Sequence, residues 1–216
     1  MPNSAYAKVG EVLTFGASVG ESELAILLLH GRGQSAQSIL SWATRIGLNE
    51  VHWLVPQSPI FHWYGGAYNA PIVENAAEIH RAQQWFDEIL DEVSQTMRKQ
   101  NIMVVGFSQG ACMALQYAWQ CPKQIDTVVA LTGSLIGESV PSLTGRESEN
   151  HIGLEVFLRC PQQDIWVNEQ SVRESATAFR EAGANVSLQI TPATPHILDH
   201  YDAAFLGGII SAVLER

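Results

Sequence analysis

A serine, an aspartate and a histidine that occur in that order, each after a short apolar run, form the set needed for acyl transfer. Ser108 is the centre of Gly106-Phe107-Ser108-Gln109-Gly110, between the apolar run Ile102–Phe107 and a helical pattern over Gln109–Gln120. Gly-x-Ser-x-Gly at a strand-to-helix turn lifts a hydroxyl clear of a sheet, and its glycines let neighbouring backbone pass close. A serine hydroxyl becomes nucleophilic only with a base beside it, and the base needs an orienting carboxylate. Asp164, in Cys160-Pro161-Gln162-Gln163-Asp164, follows the strand-like run Leu154–Leu158. His196, in Thr194-Pro195-His196, follows the run Val186–Ile190. An aspartate there could equally make an Asx turn or cap a helix. The order of the three residues favours the catalytic reading. His200 is the rival base, but it falls at the start of a closing helix, whereas Pro195 keeps His196 in a loop.

The tetrahedral intermediate of acyl transfer needs N–H donors. Gln109, next to the nucleophile, offers one. The loop His30-Gly31-Arg32-Gly33, after the apolar run Leu24–Leu29, offers the other through the Arg32 N–H. The Arg32 side chain either reaches the substrate or faces water, the second being the expectation, and His30 is expected to be a structural hydrogen-bonding residue. Cys112, one helical turn past Ser108, reads as a small buried apolar residue and not a rival nucleophile. The irregular stretch Gln57–Pro71 carries Phe61, Trp63, Tyr64 and Tyr68. Trp63 and Tyr64, with Trp166 beyond the acid, are the candidate substrate-binding residues. The same aromatics would serve equally well to pin a surface loop to the core.

The elements that must position these groups alternate along the chain. Strands are expected at Val9–Phe15, Leu24–Leu29, Val51–Val55, Ile102–Phe107, Thr127–Leu131, Leu154–Leu158 and Val186–Ile190. Helices are expected at Ser35–Arg45, Asn75–Lys99, Gln109–Gln120, Asn168–Ala182 and Asp199–Leu214, with a loop over Gly133–Asn150. Continuously apolar runs are strands covered on both faces, and the βαβ order implies a mostly parallel central sheet with helices on both faces. With the serine turn, this predicts an α/β-hydrolase fold in one domain, 1–216, without a large cap domain.

Composition restricts the partners. Of 216 residues, 46% are hydrophobic and 16% charged, as in a globular enzyme. The net charge of −10 disfavours nucleic acid and anionic membrane. No apolar stretch approaches the roughly 20 residues of a membrane span, and the first residues carry no secretory pattern. The three cysteines, Cys112, Cys121 and Cys160, have neither metal spacing nor a disulfide framework. The expected setting is the cytoplasm, as monomer or homodimer, with a small-molecule ester as substrate and with no metal or cofactor.

Four blocks resemble the small α/β-hydrolases of the phospholipase/carboxylesterase family, which includes the acyl-protein thioesterases. They are Leu28-Leu29-His30-Gly31-Arg32-Gly33, Gly106-Phe107-Ser108-Gln109-Gly110-Ala111, Pro161-Gln162-Gln163-Asp164 and Pro195-His196. The resemblance implies cleavage of carboxylic or thio esters by Ser108, Asp164 and His196. The chain departs from the acyl-protein thioesterase pattern at Gln34, where Asp is typical. It departs again at Cys160-Pro161, in place of His-Gly, and at Pro195-His196-Ile197, in place of Gly-His-Glu. These departures turn the expectation towards a divergent esterase of small or medium acyl or aryl esters. Lysophospholipase, thioesterase and lactone hydrolase activities are the alternatives, and a non-catalytic binding protein the more distant one.

Overall fold

The structure, a computed structural model, describes residues 10–121, 124–140, 151–192 and 195–216. Val9 of the first expected strand and residues 141–150 of the expected loop lie outside the described residues. Seven strands form one sheet in the order β1-β3-β2-β4-β5-β6-β7. They are β1 (Val12–Gly16), β2 (Ala25–Leu29), β3 (His52–Pro56), β4 (Ile102–Phe107), β5 (Thr127–Leu131), β6 (Glu155–Pro161) and β7 (Asn185–Thr191). Only β1 runs antiparallel, against β3; the other pairings are parallel.

The helices are α1 (Ala36–Ala43), α2 (Ile72–Ser94), α3 (Gln109–Gln120), α4 (Glu169–Glu181) and α5 (His200–Leu214). Side chains alternate across a strand, so one strand feeds two cores. Ala25, Leu27 and Leu29 pack with α2, α3 and α4 on one face. Ile26 and Leu28 pack with α1 and α5 on the other. Every residue of β2, β4 and β5 is buried, which explains their unbroken apolarity.

Three elements depart clearly from their expected limits. Strand β6 runs on to Pro161, because Arg159 is accommodated within it: its Nε donates to Asp202 Oδ1 at 2.8 Å and its Nη1 to Gln189 Oε1 at 2.7 Å. Helix α2 starts at Ile72, directly after Pro71, and stops at Ser94. Helix α1 is short and passes into a 3-10 turn, Thr44–Ile46, closed by Gly47 at φ 80°. The register places Leu29 beside Gly106, Phe107 beside Leu131 and Pro161 beside Thr191. The carboxyl ends of β2, β4, β6 and β7 therefore gather at one edge, where open α/β sheets bind ligands. Among the described residues no helix is long and apolar enough to cross a membrane.

Candidate active site

Ser108 joins β4 to α3 with φ 54° and ψ −120°, a conformation that a residue with a Cβ holds only under constraint. The constraint comes from both neighbours. Ser108 N–H donates to Leu131 O at 3.0 Å, and Cys112 N–H donates to Ser108 O at 3.0 Å. A Cβ on Gly106 would lie 2.2 Å from Gly110 O, and one on Gly110 would lie 2.2 Å from Leu29 O. Both glycines are required because α3 leaves the sheet in direct contact with the backbone of β2 and β4.

Ser108 Oγ lies 2.7 Å from His196 Nε2, and His196 Nδ1 lies 2.7 Å from Asp164 Oδ2. A neutral imidazole that donates from Nδ1 to the carboxylate leaves Nε2 free to accept the serine proton. Asp164 makes two sets of contacts. Its Oδ2 faces the histidine, while Oδ1 accepts the N–H groups of Trp166 and Val167, each at 2.9 Å, in a turn entered through Gln163 at φ 58°. Its side chain is fully buried. The His196 ring rests on Phe107, with centroids 5.1 Å apart. His200 opens α5 and stacks on Tyr201. Burial pushes the Cys112 thiol up to about 11, so this neighbour stays protonated and unreactive near neutral pH.

Gln109 is the first residue of α3, so its N–H has no acceptor within the helix and sits at the positive end of the helix dipole. Across from it runs the loop after β2. His30 Nδ1 donates to Gly31 O at 2.8 Å, and Ser58 N–H donates to His30 Nε2 at 3.1 Å. Both contacts suit a neutral ring, and burial lowers its pKa from 6.5 to about 4. Gly31 N–H donates to Gln34 Oε1 at 2.9 Å, and Gly33 N–H to Phe61 O at 2.7 Å. Gln34, the departure from the thioesterase pattern, thus fixes the loop itself.

One expectation needs correction and another is enlarged. Arg32 is exposed, as expected, and its guanidinium also donates to the carbonyls of Tyr64, Gly65 and Gly66. Trp63 does not line the cavity. It is 3% exposed, its indole N–H donates to His30 O at 2.8 Å, and its ring packs between His30 and Phe86. A large apolar ring with one donor is placed best where both are satisfied, so Trp63 pins the loop to the core. The Gln109 side chain, for which no role was foreseen, accepts from Trp63 N–H at 2.9 Å and donates to Tyr64 O at 2.7 Å. Tyr64 is buried but borders a cavity of about 960 Å³ over Ser108, and Trp166, 68% exposed, stands at its rim. Tyr68 crosses between its walls, its hydroxyl accepting from Asn168 N–H at 3.0 Å. Among the described residues no group of three or more His, Cys, Asp or Glu side chains is placed to hold a metal ion.

Comparison with known proteins agrees with this architecture. Residues 17–206 match the sequence profile of the Phospholipase/Carboxylesterase family. The chain belongs to the phospholipase/carboxylesterase family. It is a carboxylic ester hydrolase, as the members of that family are. Among its relatives is acyl-protein thioesterase 1 of Neurospora crassa, 23% identical over 86% of each chain. Another is lysophospholipase-like protein 1 of Mus musculus, 26% identical over 56% of this chain and 58% of that one. The solved phospholipase/carboxylesterase from Dyadobacter fermentans superposes with a TM-score of 0.83 at 28% identity, covering 97% of this chain and all (100%) of its own. Zea mays acyl-protein thioesterase 2 shares the fold, with a TM-score of 0.78 at 18% identity over 95% and 99% of the two chains.

Proposed function

We propose that this family member is a serine carboxylesterase that cleaves small or medium acyl or aryl esters through Ser108, His196 and Asp164. The observation that carries the reading is the unbroken relay from Ser108 Oγ through His196 to Asp164, with both links at 2.7 Å. His196 Nε2 takes the hydroxyl proton as Oγ attacks the ester carbonyl. The negative oxygen of the tetrahedral intermediate turns towards the N–H groups of Gln109 and Arg32. The intermediate collapses, His196 returns the proton to the departing alkoxide, and an acyl group remains on Ser108. Water, deprotonated by the same histidine, then releases the acid and restores the hydroxyl. Asp164 accepts from His196 Nδ1 and so holds the tautomer that this cycle needs.

The cavity supports the substrate size. Its 960 Å³ is near the upper end of small-molecule pockets, and Tyr64, Tyr68 and Trp166 give it aromatic walls. A thioesterase reading draws on the Neurospora crassa relative, an acyl-protein thioesterase. A panel of esters varying in acyl length and leaving group, with thioesters, lactones and a lysophospholipid included, ranks these substrates. Mass spectrometry during turnover of p-nitrophenyl acetate should show an acetyl group on Ser108, absent in Ser108→Ala. Turnover that persists in Ser108→Ala refutes the nucleophile. Failure to turn over any member of the panel refutes the enzyme reading.

A further inference from the structure

The loop that carries the proposed Arg32 donor has no regular structure of its own between the end of β2 at Leu29 and the start of α1 at Ala36. Its position relative to α3 must come from side chains. Arg32 Nη2 donates to Tyr64 O at 2.8 Å and to Gly66 O at 2.6 Å, and Nη1 donates to Gly65 O at 3.1 Å. Three successive carbonyls thus converge on one guanidinium, whose carbon lies 5.8 Å from the Tyr64 ring centroid. From the α3 side, the Gln109 amide holds the N–H of Trp63 and the carbonyl of Tyr64. Helix α2 holds the same segment from a third direction: Glu78 Oε2 accepts from Gly65 N–H at 2.7 Å, and Asn75 Oδ1 from Gly66 N–H at 2.9 Å. A Cβ on Gly66 would come within 2.6 Å of Asn75 Oδ1, so a larger residue there would displace the side chain that holds the segment.

Both residues proposed to stabilise the oxyanion with their backbone N–H groups therefore use their side chains to hold one short segment. We infer that residues 63–66 are a cross-brace of the oxyanion site, and that Arg32 is a positioning residue whose guanidinium sets, through this brace, the spacing between its own N–H and that of Gln109. The inference rests on the serine esterase reading above. A guanidinium suits the task because its donors lie in one fixed plane, so it constrains direction as well as charge. The ammonium of lysine supplies the charge without the planar fork. Loss of the brace shifts the donors relative to an oxygen that exists only in the transition state, so the effect belongs in kcat.

The test compares wild type, Arg32→Lys and Arg32→Ala with p-nitrophenyl acetate and butyrate. Each variant should lose about tenfold to a hundredfold in kcat with KM nearly unchanged. The Ki of a trifluoromethyl ketone, which forms the tetrahedral adduct, should rise by the same factor. Millimolar guanidinium should restore part of the activity of Arg32→Ala, and methylammonium should not. Hydrogen exchange at the Gly65 and Gly66 amides should speed up in both variants. A rise in KM at constant kcat overturns the proposal in favour of a substrate contact. Unchanged kcat and unchanged exchange overturn it in favour of an idle side chain. If the wild type hydrolyses no ester, the esterase reading fails, while amide exchange in Arg32→Lys still tests the brace.

Discussion

His30 makes the stability of this protein steeply dependent on pH, and the size of the effect follows from its surroundings. The ring is fully buried, donates from Nδ1 to Gly31 O and accepts from Ser58 N–H at Nε2. A second proton on Nε2 would face the Ser58 N–H head-on and leave a charge without solvent. Burial accordingly lowers the pKa from 6.5 to about 4, outweighing the Gly31 carbonyl, which favours the charged ring. Because the unfolded chain binds this proton more readily, stability is complete above pH 6.5 and is lost as pH falls towards 4. The limiting loss below pH 4 is about 3 kcal/mol, and between pH 7 and pH 5 it is about 2 kcal/mol. Urea denaturation at both pH values, for wild type and His30→Gln, isolates this contribution, since the carboxylates and His151 titrate in both proteins. His30→Gln should be less stable at pH 7 but should lose about 2 kcal/mol less than wild type between the two pH values. Equal losses in the two proteins would refute the argument.

Other outcomes follow from single contacts. Gly110→Ala places a Cβ 2.2 Å from Leu29 O and should cost several kcal/mol or abolish soluble expression. Gly208→Ala, in α5 with nothing within 4 Å of its Cβ, should leave the melting temperature level or raise it slightly. Asp164→Asn removes the carboxylate that orients His196 Nδ1–H and should lower kcat by about four orders of magnitude on ester substrates, with circular dichroism unchanged. Trp63→Phe deletes the indole bond to His30 O and leaves a cavity beside Phe86, and should destabilise by about 2–3 kcal/mol without altering acyl-length preference. Trp166→Ala, at the exposed rim, should raise KM for bulky esters and leave urea stability within about 0.5 kcal/mol.

Much of the architecture is legible in the sequence because burial on both faces leaves a local mark. Strand β4, helix α3 and strand β5 have the expected limits, since both strands are wholly buried and so is most of the helix between them. The turn at Ser108 is legible for the same reason: Gly106 and Gly110 are demanded by backbone contacts that no other residue allows. The order of Ser108, Asp164 and His196 suggested their meeting, and the register of parallel strands brings their loops to one edge, within hydrogen-bond distance. Other features left no local mark. Arg159 extends β6 because Asp202 and Gln189, distant in sequence, satisfy its charge. Nothing in Gln57–Pro71 distinguished the buried Trp63 from Tyr64 at the cavity, because the choice depends on where His30 O and Phe86 lie in space. Likewise a charged side chain in a glycine loop reads as solvated, and only the approach of Tyr64, Gly65 and Gly66 turns Arg32 into a clamp. Local patterns determined the strands, the turn and the order of the chemical groups. Packing alone decided which polar and aromatic side chains brace the site, because their partners are carbonyls and rings supplied by remote parts of the chain.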